Sequence, residues 1–158
     1  MSNEKSQTNK ASEDDKDAEF IYAKEVVAQR VNHPNRLENI FKEIEVLSGG
    51  NGRILCRYKI PKTFSNTHSS LHGGIIATLV DCVSTWAFCT AIKHNRHISV
   101  DLSVSYIRKA ELGETITIEG NTETSGRKVA FLTATLRDKN GKLLATGKQT
   151  KLILDTKL

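Results

Sequence analysis

Two prolines, three cysteines and one tryptophan in 158 residues are the scarce components of this chain. With so few prolines, long uninterrupted helices and strands are open to it. Cys56, Cys82 and Cys89 are odd in number and contain no CxxC pair, which argues against a secreted disulfide framework. Buried, reduced thiols of an intracellular protein are expected instead. No apolar run follows Met1, so a secretory leader is not expected. The first nineteen residues contain no arginine, unlike an Arg-rich, acid-poor transit peptide. The cytoplasm is the expected compartment. The peroxisome is an alternative because Thr156-Lys157-Leu158 differs by one residue from an S-K-L address, and the mitochondrion is another. Aromatic residues make up 6% of the chain and are not interleaved with basic residues on one strand face. A stacking platform for nucleic acid is therefore not expected.

What is present reads as one globular domain. Residues 1–19 hold six acids and three lysines, a net −3, so the rest of a +5 chain carries +8. This polar, acidic stretch reads as a disordered tail, with the domain spanning 20–158. Phe20, Ala23, Val27 and Val31 have helical spacing, and a second short helix is predicted from Asn35 to Phe41. Strands are predicted over Glu43–Leu47 and Arg53–Ile60, joined by Ser48-Gly49-Gly50-Asn51-Gly52. From Gly73 to Ile92 the only charge is Asp81, and Ile76, Leu79, Val80, Val83 and Ala87 lie on one face. Such a run is long enough to cross a membrane. Its central Asp, its Ser and Thr residues and a mean hydropathy of −0.37 for the chain argue against a span. A helix this apolar must be surrounded by protein, and the rest of the chain supplies strands. Ile98, Val100, Leu102, Val104 and Tyr106 alternate with polar residues. Thr115–Thr124, Lys128–Arg137 and Leu143–Leu154 follow across tight turns, with no intervening helix. The expected fold is α+β, an antiparallel sheet wrapped around one long central helix.

Chemistry concentrates at the start of that helix. In Leu71-His72-Gly73-Gly74, paired glycines admit close approach to the backbone, and the unpaired N–H groups of a helix start suit a carbonyl or oxyanion. Asn66 offers an amide from the preceding loop. Asp81 lies off the apolar stripe, near Thr78, Ser84 and Thr85. On residues alone each feature has an ordinary structural reading: HGG as a close-packed helix start, Asp81 as a solvated or capped carboxylate, Ser99, Asp101 and Tyr106 as plain strand residues. His68 and His72 have an i, i+4 spacing but no evident third ligand, so no metal is expected. His33, His94 and His97 read as surface residues.

The segment Asn66–Phe88 (NTHSSLHGGIIATLVDCVSTWAF) and Ser99-Val100-Asp101 resemble the small hotdog-fold acyl-CoA thioesterases, the thioesterase superfamily member 2 and PaaI-like (HGG) group, over about residues 35–152. The resemblance implies hydrolysis of medium- or long-chain acyl-CoA to fatty acid and CoA, within fatty acid and lipid metabolism. It implies that Gly73 and Asn66 polarise the thioester carbonyl, that Asp81 acts as general base or nucleophile, and that Ser99 helps place the water. It further implies CoA contacts through His72, Asp101, Tyr106, Arg108, Lys109, Ser125, Gly126, Arg127 and Lys128. No cofactor is implied, since coenzyme A is part of the substrate. Arg108 replaces a small residue usual in the family, and Glu111 stands where Lys is common. The competing reading is a non-catalytic acyl-CoA-binding or regulatory protein of the same fold.

Granted that chemistry, spacing demands a second copy. Gly73 and Asp81 are eight residues apart, about 12 Å along one helix, whereas attack requires a separation near ~3 Å. The Asp81 used must come from another subunit's antiparallel helix. A homo-oligomer, a dimer or a dimer of dimers, is expected. Arg108-Lys109 and Arg127-Lys128, placed at opposite ends of one hairpin, would lie about 30 Å apart and converge on CoA phosphates only across an interface. The acyl tunnel is expected between subunits, near Trp86 and Phe88.

Overall fold

Acidic residues that read as a tail turn out to start a helix. The computed structural model describes residues 12–92 and 96–154, and helix α1 runs Glu13–Val31. The Ser12 hydroxyl accepts from the Asp15 N–H while the Asp15 carboxylate accepts from Ser12 N–H, a capping box. Glu13, Asp14 and Asp15 then sit at the positive end of the helix dipole. The expected boundary at residue 20 is therefore corrected for residues 13–19. Residues 1–11, His94 and the C-terminal Thr156-Lys157-Leu158 lie outside the described residues. Ala23, Val26, Val27 and Val31 form the buried face of α1. A 3-10 turn at Leu37–Phe41 replaces the predicted second helix and buries Phe41.

Strands β1 (Glu45–Gly50) and β2 (Arg53–Lys59) form a hairpin closed by Asn51 and Gly52, with φ of 48° and 85°. Two consecutive positive φ values fit the twist of antiparallel strands. Helix α2 spans Gly73–Ala91, followed by β3 (Arg96–Tyr106), β4 (Thr115–Ser125), β5 (Val129–Arg137) and β6 (Leu143–Leu154). All strands join one antiparallel sheet of order β1-β2-β4-β5-β6-β3. By length and composition α2 is able to cross a membrane; here it lies against the inner face of the sheet. Ile76, Leu79, Val80, Val83 and Ala87 are buried as their spacing predicts, each larger side chain contributing roughly 1.5–3 kcal/mol. Two glycines set the helix-to-sheet distance. A Cβ on Gly120 of β4 would stand 2.5 Å from the Val83 carbonyl oxygen, and one on Gly147 of β6 would overlap the Val80 side chain.

Strand β3 departs from its sequence pattern. The strict alternation from Ile98 to Tyr106 predicts one buried face, yet the pairing with β6 slips between Ser99 and Asp101. This bulge switches the faces. Ser99, opposite Lys151, and Leu102, opposite Gln149, both turn toward α2, while Ile98 and Asp101 share the outer face with Leu152 and Thr150. β3 is also a sheet edge, and Ile98, Val100, Leu102 and Tyr106 remain exposed on it.

Candidate active site

At the N-terminus of α2 the structure narrows the free donors to one. The Gly74 N–H donates to His72 Nδ1 at 2.9 Å, and the Ile75 and Ile76 N–H groups donate to the His72 carbonyl at 3.0 and 3.2 Å. Among the described residues no acceptor meets the Gly73 N–H. His72 is thus the helix cap. The Tyr106 ring lies over Gly73, 3.4 Å from where a Cβ would be, and its hydroxyl donates to the Gly73 carbonyl at 3.2 Å. A side chain at 73 would press on that ring.

Asn66 is fixed by its own loop. Its Oδ1 accepts from the His68 and Ser70 N–H groups at 2.9 and 3.1 Å, which turns Nδ2 to the other side. One amide hydrogen goes to Ser70 Oγ, and among the described residues the other meets no acceptor. Asn66, Gly73, Tyr106, Arg108 and Lys109 all line one cleft of about 300 Å³. In it Lys109 pairs with Glu111 at 2.7 Å. That contact holds the ammonium above its usual range and offsets one of the two positive charges expected to meet phosphate.

Asp81 lies outside this cleft, in a second cluster. Its Oδ1 is near the Ser99 hydroxyl at 3.5 Å, Thr85 Oγ1 at 3.4 Å and Lys151 Nζ at 3.6 Å, and it accepts a hydrogen bond from Gln149 Nε2. Among the described residues Oδ2 has no partner. Asp81 is 43% exposed at its side chain and Lys151 only 5%, so the cluster is closed behind and open in front. Gln149 and Lys151 did not emerge from the sequence. Their signal is weak: Lys148, Gln149, Thr150 and Lys151 place polar residues on both faces of β6. The cysteines are free and buried, and burial pushes Cys56 and Cys82 up to about 12. Neither is a thiolate nucleophile at neutral pH.

Position separates the remaining expected site residues from this pair of clusters. Arg127 and Lys128 do sit far from Arg108 and Lys109, but at opposite ends of β6, not of a hairpin. Arg108 N–H donates to Leu144 O, and Lys128 O accepts from Ile153 N–H. The nine residue steps of β6 from Leu144 to Ile153 span about 30 Å. Ser125 and Gly126, at the β4–β5 turn, lie at the far end with them. Asp101 faces the outer side, away from Asp81 and Ser99. Trp86 and Phe88 are buried within the protomer. An open apolar cavity of about 410 Å³ lies beside the start of α2, between Leu37, Ile40, Phe64 and Ile75. His97 is not a surface residue: its ring packs on Phe88 and its Nε2 is 3.4 Å from Cys89 Sγ. No group of three His, Cys, Asp or Glu side chains among the described residues is placed to hold a metal.

A long helix held in a six-stranded antiparallel sheet, with a free N–H at its first residue, defines the hotdog class of thioesterase folds. Residues 68–145 match the Thioesterase superfamily. Human acyl-coenzyme A thioesterase 13 is 33% identical over 126 residues, which is 79% of this chain and 90% of that protein. The zebrafish thioesterase superfamily member 2 structure superposes with a TM-score of 0.79 at 34% identity, covering 85% of this chain and 98% of its own. Its counterpart from Mus musculus gives 0.75 at 29% identity, covering 84% and 96%. The chain belongs to the thioesterase superfamily and is an enzyme of that class.

Proposed function

We propose that this protein hydrolyses medium- to long-chain acyl-CoA to fatty acid and CoA, at sites that each combine Gly73 and Asn66 of one subunit with Asp81 and Ser99 of another. One observation carries the reading: the single unsatisfied N–H of α2 opens into the cleft that also holds the free Asn66 amide hydrogen and the basic Arg108 and Lys109. Two donors in one cleft suit the charge that develops on a thioester oxygen. Asp81, through its free Oδ2, activates water or attacks directly, with Ser99 beside it. The human relative's name, an acyl-coenzyme A thioesterase, supports the substrate class.

Strand β3 supports the shared site. It is an eleven-residue edge with four exposed apolar side chains and no proline, a surface that favours pairing with a second β3. Such pairing brings two α2 helices side by side. On the outer face Val129 and Phe131 are exposed near Ile98, which supports a further pairing of dimers. Arg127 and Lys128 of the second subunit then complement Arg108 and Lys109 toward the CoA phosphates. The acyl chain takes the cavity between Leu37, Ile40, Phe64 and Ile75, adjoining Gly74.

Release of free thiol from acetyl-, octanoyl- and palmitoyl-CoA tests the reading. The oligomeric protein is expected to turn over the two longer substrates faster, and Asp81→Asn to lose about 10²–10⁴-fold in kcat. Absence of turnover on every substrate overturns the function. Preference for acetyl-CoA overturns the chain-length assignment, and full activity of Asp81→Asn overturns the role of Asp81.

A further inference from the structure

The inner face of β6 reads Ala145, Gly147, Gln149, Lys151, Ile153. Two polar side chains in the middle of a hydrophobic face are costly to bury, an ammonium most of all, yet Gln149 is 1% and Lys151 4% exposed. Both converge on the same pair of groups. Lys151 Nζ donates to Ser99 Oγ at 2.8 Å and lies 3.6 Å from Asp81 Oδ1. Gln149 Oε1 accepts from the Ser84 and Thr85 hydroxyls at 3.3 and 3.2 Å, which forces its Nε2 toward Asp81 Oδ1 and Ser99. The β3 bulge between Ser99 and Asp101 completes the cluster by turning Ser99 inward.

The consequence is asymmetric. Oδ1 of Asp81 is held from several sides, and Oδ2 is left free on the open side. Because Ser99 Oγ accepts from the ammonium, its own hydrogen is free to be donated forward, to the carboxylate or to water. We propose that Lys151 is a positioning residue of this enzyme: its buried ammonium, with the Gln149 amide, locks Oδ1 of Asp81 and the Ser99 hydroxyl so that Oδ2 alone meets the attacking water. This inference rests on the hydrolase reading above and adds to it a residue that touches neither substrate nor water.

The charged and titratable groups packed around the ammonium are Asp81, Cys82 and Cys89 from α2, His97 from β3, and Arg30 from α1, whose guanidinium donates to Cys89 Sγ at 3.0 Å. Burial raises both thiols and lowers His97. Both shifts favour the neutral forms of the thiols and of the imidazole. Burial also lowers Lys151 from its ordinary 10.5, against the opposing pull of Asp81. A fall of kcat that tracks loss of its proton on the alkaline side, with fold and assembly unchanged, is thus a readout that a merely structural lysine would not give.

The test measures kcat and KM against pH for the full chain, Lys151→Met and Lys151→Arg on palmitoyl-CoA, with circular dichroism and oligomeric state as controls. Lys151→Met is expected to lose roughly ten- to hundredfold in kcat with KM changed less than about twofold. The wild-type kcat should fall at a pH below 10.5. Lys151→Arg, which keeps its charge, should regain part of kcat and lose that alkaline fall. Should Lys151→Met fail to fold, the Lys151→Arg profile decides alone. Active wild type with unchanged kcat in Lys151→Met, or an alkaline fall that persists in Lys151→Arg, overturns this inference and leaves the hydrolase reading standing. Wild type that hydrolyses nothing overturns both.

Discussion

The two ends of the proposed chemistry on α2 are built by opposite means. At Gly73 the useful group is a backbone N–H that the fold leaves unsatisfied, in an open cleft whose side chains, Asn66 and Tyr106, are held by loop and edge-strand contacts. At Asp81 the useful group is a side-chain oxygen left over after a buried polar network has consumed the other one. The first end depends on glycine and helix geometry, the second on desolvated charges. For the proposed reaction each is incomplete by itself, since about 12 Å along the helix separates the two.

Complementation would break that comparison most decisively. Asn66→Ala is expected to lose about 10²–10³-fold in kcat as a missing carbonyl donor, and Asp81→Asn at least as much. If the two ends come from different subunits, co-expressing these two inactive chains gives mixed dimers with one intact site each. Thiol release should then recover to about a quarter of wild type, the share set by random pairing into two-fold dimers. Sites wholly within one chain would leave the mixture as inactive as its components.

Charge at the open end gives a smaller effect of either sign. Glu111 occupies Lys109 at 2.7 Å, so Glu111→Gln should release the ammonium for phosphate and lower KM for acyl-CoA, whereas Arg108→Ala should raise it. Exposed pairs of this kind are weak, so each change should amount to no more than about fivefold in KM. Both effects should shrink as salt is raised. Steady-state kinetics at low and moderate ionic strength measures them. A KM for Glu111→Gln above that of the wild type would remove Lys109 from the substrate.

The open end and the Asp81 carboxylate itself were legible in the sequence, and the buried partners of Asp81 were not. Gly73-Gly74 after a polar loop marks a helix start by itself, and Asp81 stands out as the only charge in Gly73–Ile92. The partners of Asp81 come from β6, where polar residues on both faces hide which side is inner. Only pairing with β5 and β3 decides that Gln149 and Lys151 point inward. The bulge in β3 is equally silent: Ile98 to Tyr106 alternates without a fault, and the switch of faces arises from how β3 lies against β6. At the N-terminus composition misled. Acidic residues with the composition of a disordered tail are also the ones a helix dipole favours in its first turn.

The same two ends should also respond oppositely to alkali in their stability. Lys151 is lowered by burial, so between its folded value and 10.5 the unfolded chain binds more protons. Unfolding free energy should therefore rise with pH across that window, by at most about 1.4 kcal/mol per pH unit from this group. Below the window its contribution is flat. Lys109 is raised by its hydrogen bond to Glu111, so its contribution is complete below 10.5 and is lost as pH climbs through the folded value. Being fully exposed, it should move stability very little. Urea unfolding at stepped pH from neutral to 10, comparing wild type with Lys151→Met and Glu111→Gln, separates the two. The advantage of wild type over Lys151→Met should grow with pH, because the methionine variant has no buried ammonium to neutralise. An advantage that shrinks toward alkali would mean that the Asp81 ion pair outweighs burial at Lys151, and would make the two ends of the site alike in sign.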